Sequence, residues 1–138
     1  MWTGIYKGGI NHYRSISDNL PKVANSYHFA HGYFGERGDS TKERTRHIES
    51  SNPLKTAKDF FEKLTYGAIE KSLPNGKGKI AKLKDGTIIT YREISSSDGS
   101  PAVDINIKKS TNSNGVKQQK IHFTKKGRLK WFFIKMLD

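Results

Sequence analysis

KGKIAKLKDGTIITYREI (residues 77–94), SSSDGSP (95–101), AVDINIK (102–108), KSTNSNG (109–115) and KQQKIHF (117–123) form the stretch that decides the fold. Apolar residues alternate with polar ones through it, which is the period of a half-buried strand. Val103, Ile105 and Ile107 alternate with Ala102, Asp104, Asn106 and Lys108; Ile121 and Phe123 alternate with Lys120, His122 and Thr124. Asp85-Gly86 between two such runs is the strongest short hairpin signal a sequence offers. The loops 95–101 and 109–115 consist of turn-forming residues, and connections this short favour antiparallel neighbours. The expectation is a meander of about four strands with one apolar face.

Upstream, Asn52 and Pro53 suit a helix cap and first position. Leu54, Ala57, Phe60, Phe61 and Leu64 then form one helical stripe, stopped at Gly67 or extended through Ala68–Leu73 to Pro74-Asn75-Gly76. Residues 1–50 are less legible. Leu20-Pro21-Lys22-Val23-Ala24 suits a short helix capped by Asn19, HFAHGYFGERGDS (residues 28–40) an ordered loop, and TKERTRHIES (41–50) either a basic helix or an extended arm. The order, helices before strands, gives an α+β class with N-terminal helices packed on a roughly four-stranded antiparallel sheet. A single domain is expected over residues 1–138: a helical and loop part at 1–76, and a sheet part at 77–138. The latter ends in an oily tail, GRLKWFFIKMLD, read as a last core element.

The chain's 138 residues suffice for one self-supporting core. Its 33% hydrophobic and 11% aromatic content is not that of a disordered chain. With no Cys, disulfides and thiolate metal sites are excluded. No run approaches the roughly 20 apolar residues of a membrane span. The opening MWTGIYKGGINHYRS lacks the apolar run of a signal peptide and reads as a domain cut from a longer chain. Net charge is +12, and Lys77 onward holds 14 of the 25 basic but 5 of the 13 acidic side chains. Such a field suits a polyanion.

On the polar side of the meander, Asp104, Asn106, Lys108, Lys120, His122 and Thr124 point together. The phase of 87–94 is open: either Tyr91 or Arg92 joins them. RNA cleavage needs a base for the 2′-hydroxyl, a cation for the phosphate and an acid for the leaving 5′-oxygen. His122 suits proton transfer near neutrality, and Arg92 and Lys120 suit the phosphate. Tyr91 is the alternative neighbour of His122. Ser96 and Ser97 sit on a loop whose hydroxyls and N–H groups suit phosphate binding or a simple turn. His31 or His28 could be a second imidazole; as a spaced pair they lack a convincing third metal ligand. Lys108, Lys109, Arg44 and Arg46 are candidate RNA contacts. No metal ligand set or cofactor is expected, and no phosphate-loop, dinucleotide or nucleophile-elbow motif occurs.

DGTIITYREISSSDGSPAVDINI…KQQKIHF, with NPLKTAKDFFEKLTYG before it, resembles the C-terminal toxin domains of bacterial polymorphic toxins of the RHS and contact-dependent inhibition types. The resemblance covers roughly residues 28–124. Many such domains belong to the barnase–EndoU–colicin–RelE group of metal-independent ribonucleases. It implies an endoribonuclease that acts often on tRNA and leaves a 2′,3′-cyclic phosphate. It also implies secretion within a larger effector, action in the target-cell cytoplasm, and a cognate, acidic immunity protein. Only His122, Arg92 and the Ser96-Ser97 loop match that group's site positions, and no obvious Glu base accompanies them except Glu93. A metal-dependent DNase toxin, suggested by His28/His31 and Asp104, and a non-catalytic basic binding module are the alternatives.

Overall fold

A computed structural model describes residues 5–6, 14–38, 42–108 and 112–125. Two helices and ten strands follow one another as β1 (Ile5–Tyr6), α1 (Ile16–Ala24), β2 (Phe29–Ala30), β3 (Tyr33–Phe34), β4 (Glu36–Arg37), β5 (Thr45–Ser50), α2 (Pro53–Leu64), β6 (Ile69–Ser72), β7 (Gly78–Lys82), β8 (Ile88–Arg92), β9 (Ala102–Asn106) and β10 (Gln119–Lys125). The class is α+β, but the four-stranded antiparallel sheet is overturned. The meander β7-β8-β9-β10 is the middle of an eight-stranded mixed sheet ordered β1-β6-β7-β8-β9-β10-β5-β4. Nor do the helices precede the sheet, since strands from both halves of the chain build it. All neighbours are antiparallel except β10 and β5, which run parallel.

Each surprise has a local cause. Ser15, not Asn19, caps α1: its hydroxyl accepts from Asp18 N–H while the Asp18 carboxylate accepts from Ser15 N–H, a closed capping box. Pro21 therefore falls inside the helix. Residues 69–72, read as a possible extension of α2, pair instead with β7. The segment 45–50, left open between helix and arm, is a strand that enters beside β10. At the β7–β8 turn Gly86 has φ +88°, as the Asp-Gly hairpin requires. The oily tail from residue 127 lies outside the described residues. Among those residues no helix is long and apolar enough to cross a membrane.

The helices pack on each other and on one sheet face. Ile16, Asn19, Leu20 and Val23 of α1 are buried, as are Ala57, Phe60, Phe61 and Leu64 of α2, both at spacings of three, one and three. Beneath them the sheet contributes Ala81, Ile89, Tyr91, Val103, Ile105, Ile121 and Phe123. Two buried amides fasten loops to this core. Asn19 Nδ2 donates to the Leu64 and Tyr66 carbonyls at 2.8 and 2.7 Å, satisfying the end of α2. Gln119 accepts from Phe34 N–H at 2.8 Å and donates to the Gly32 and Lys117 carbonyls at 2.9 and 2.7 Å. It thereby pins the β2–β3 hairpin to β10. Gln119→Leu strands these groups and is expected to cost about 2–4 kcal/mol in urea unfolding; a loss below about 0.5 kcal/mol would show that the amide holds nothing.

Candidate nucleic-acid interface and active site

Strand alternation sends every second residue of the sheet away from the helices. On that distal face the pairing registers align one transverse row, Arg92, Ala102, His122, His47 and Glu36, contributed by β8, β9, β10, β5 and β4. A parallel row holds Thr90, Asp104, Lys120 and Thr45. Arg92 and His122 thus share a face, two strands apart. At about 4.8 Å per strand this is close to 10 Å between backbones, within reach of a long guanidinium side chain and an imidazole holding one phosphate between them.

The phase of β8 follows from α2. Tyr91 is 3% exposed and its ring stacks, tilted, on Phe61 with centroids 5.7 Å apart. Burial, with Glu93 nearby, pushes its hydroxyl up to about 12. Tyr91 is thus a core residue on the helix side, which corrects its candidacy beside His122. Arg92 takes the distal side instead, where Nη1 stands 3.4 Å from Asp104 Oδ2. Both partners are partly exposed, so water competes for this long contact and it is weak. A phosphate could exchange for Asp104. Lys120, beside Asp104 in register, supplies a second cation.

His122 is 8% exposed although it points away from the core. The loop between β8 and β9 lies against it: Nδ1 is 3.0 Å from Ser100 Oγ and 3.2 Å from Asp98 Oδ1. Burial lowers the imidazole below its usual range and Lys120 pushes the same way, while Asp98 pulls against them. His122 is therefore neutral near pH 7, the form a general base needs. Burial also pushes Asp98 upward. The side-chain and backbone hydrogen bonds from Ser100, the one from Ser95 and the nearby imidazole outweigh that effect and hold it at about 2. Ser96 and Ser97 are exposed on this loop, and it is Ser95 and Ser100, not they, that engage Asp98.

The residue missed in the sequence is His47. Thr45–Ser50 contains one aliphatic side chain, too little to announce a strand. Its insertion next to β10 registers His47 directly with His122, which puts a second imidazole on the distal face. His31 lies elsewhere. That residue, exposed and at φ +56°, forms the turn of the β2–β3 hairpin, which β10 holds through Gln119 on the helix side. His28 reaches the far edge of the distal face, 3.9 Å from Glu36. There a cavity of about 320 Å³ is lined by His28, Gly35, Glu36, His47, Ile48 and Glu49. Two carboxylates therefore stand beside His47 where none was foreseen.

The proposed RNA contacts separate. Arg46 registers with Ile121, a core residue, and so lies on the helix side. It donates to the Phe34, Gly35 and Glu43 carbonyls and lies 5.0 Å over the Tyr33 ring. That is a structural fastening, which corrects its reading as an RNA contact. Arg44 is exposed just before β5. Lys108 is exposed and its side chain rests against Gly86 at the β7–β8 turn. Lys109 lies outside the described residues. Among the described residues no group of three His, Asp or Glu side chains is arranged to hold a metal ion. Set against protein-family models, curated proteins and solved structures, the chain matches none of them.

Proposed function

We propose that the protein is an endoribonuclease toxin that cleaves RNA with its own side chains. The observation that carries this reading is the registered pair His122 and His47 on one sheet face, flanked by Arg92 and Lys120. His122 Nε2 takes the proton of a ribose 2′-hydroxyl, whose oxygen bonds to the adjacent phosphorus. Arg92 and Lys120 stabilise the charge that gathers on the phosphate oxygens. His47 gives its proton to the 5′-oxygen as the P–O5′ bond breaks, leaving a 2′,3′-cyclic phosphate. Two imidazoles thus divide the acid and the base work. Asp98 approaches His122 at Nδ1, the ring nitrogen opposite the one that takes the proton.

The likeness to polymorphic toxin domains supports the biological setting. In that setting the domain is secreted as part of a larger effector, acts in the target-cell cytoplasm on tRNA, and is neutralised by an acidic immunity protein over the basic face. The test is purified protein incubated with total RNA in excess EDTA. Cleaved tRNA or rRNA ending in cyclic phosphate is expected. Intact RNA overturns the reading. Plasmid nicking that needs added divalent metal would replace it with a DNase, and salt-sensitive RNA binding without breaks would replace it with a binding module.

A further inference from the structure

We infer that Asp98, held by Ser95 and Ser100, is the positioning residue of His122, fixing the ring's tautomer and direction; the catalytic part of this inference rests on the nuclease reading above. The loop from Ser95 to Ser100 has the composition of an ordinary turn, and a turn would need only the Ser100 N–H bond to the Asp98 carboxylate at 3.0 Å. The same Oδ1 also accepts from Ser95 Oγ at 2.8 Å and Ser100 Oγ at 2.6 Å, and lies 3.2 Å from His122 Nδ1.

The protons can be placed one by one. The Ser100 hydroxyl spends its hydrogen on Asp98, so toward His122 its oxygen can only accept. Ionised Asp98 can only accept as well. Both face Nδ1, so Nδ1 carries the hydrogen and Nε2 keeps the lone pair. The loop is itself anchored to the sheet. Ser95 N–H donates to the Ser100 carbonyl at 2.8 Å, Gly99 N–H to the Ser95 carbonyl at 3.1 Å, and Phe123 N–H to the Pro101 carbonyl at 2.8 Å. That last bond starts one residue beyond the imidazole. The arrangement is preorganised before any substrate arrives.

The charged and titratable groups that face His122 are Asp98 from the loop, Lys120 from its own strand, Asp104 and Arg92 from β9 and β8, and His47 from β5. Among them only Asp98 makes a hydrogen-bond-length approach to Nδ1.

The experiment compares wild type, Asp98→Asn and Ser100→Ala by side-chain ¹⁵N NMR of His122 in the free protein and by single-turnover RNA cleavage. Wild type is expected to show a single tautomer protonated at Nδ1. Asp98→Asn should mix the tautomers, lower the titration midpoint of His122, and reduce kcat about 10²-fold with KM and RNA binding little changed. Ser100→Ala keeps the carboxylate and the loop's backbone bonds, so it carries the test if Asp98→Asn does not fold. It should shift the tautomer balance in the same direction and lower kcat about tenfold. A His122 tautomer and kcat unmoved by both substitutions overturn the inference while the nuclease reading stands. An Asp98-dependent tautomer in a protein that leaves RNA intact upholds the positioning and removes the nuclease.

Discussion

His122→Ala is expected to reduce RNA cleavage by about 10²–10⁴-fold, the usual contribution of one acid–base group, with RNA affinity nearly unchanged. The separation follows from geometry. Arg92 and Lys120, the cations proposed to hold the phosphate, stand on β8 and β10 of the same face and do not depend on the imidazole. Affinity falling in step with cleavage would make His122 a structural residue. The pH profile gives an independent check. The base works only when neutral, and burial with Lys120 lowers its pKa. The rate should therefore fall on the acid side with a midpoint below the ordinary histidine value of about 6.5. Stability runs in the same direction. A histidine with a lowered folded-state pKa binds fewer protons in the native than in the unfolded chain, so acidification below about pH 6.5 favours unfolding. Asp98, held at about 2 against a usual 3.8, adds stability that is present above its usual value and is lost as pH drops toward 2.

Phe60→Ala should be the most damaging single truncation, costing about 3–5 kcal/mol. A domain of this kind has about 5–15 kcal/mol in all. Phe60 is fully buried in the middle of α2. Its ring lies edge-on to Tyr27 at 5.3 Å and to Phe34 at 5.0 Å, and tilted on Phe123 at 5.6 Å. It therefore joins the loop after α1, the β2–β3 hairpin and β10 around one side chain. Urea unfolding should show a lower midpoint with an unchanged slope. A cost below about 1 kcal/mol would mean that the three elements are not packed through this ring.

What the sequence made legible is what local rules determine. The antiparallel meander from Gly78 to Lys125 announces itself because each strand's partner is its chain neighbour and Asp85-Gly86 marks the turn. Helix α2 announces itself through Asn52, Pro53 and the stripe from Ala57 to Leu64. The phase of β8 was not decidable locally, since Ile88, Ile89, Thr90 and Tyr91 suit either face; Phe61 of the helix decides it. Strand β5 was not decidable either. Its core contribution is Ile48, and its partner β10 lies some 75 positions further along the chain. With β5 unseen, His47 and the carboxylates Glu36 and Glu49 beside it stayed invisible. Asp98 sat in plain view within a turn, but its approach to His122 depends on how the loop folds back over β10.

If the two imidazoles act together as proposed, the parallel pairing of β10 with β5 bears on when that activity begins. His47 is laid down early and His122 near the end of the described chain, and only the docking of β10 alongside β5 brings them into register. During synthesis, a nascent chain that ends between β5 and β10 holds His47 without His122. Chemistry that needs both is withheld until β10 has docked beside β5.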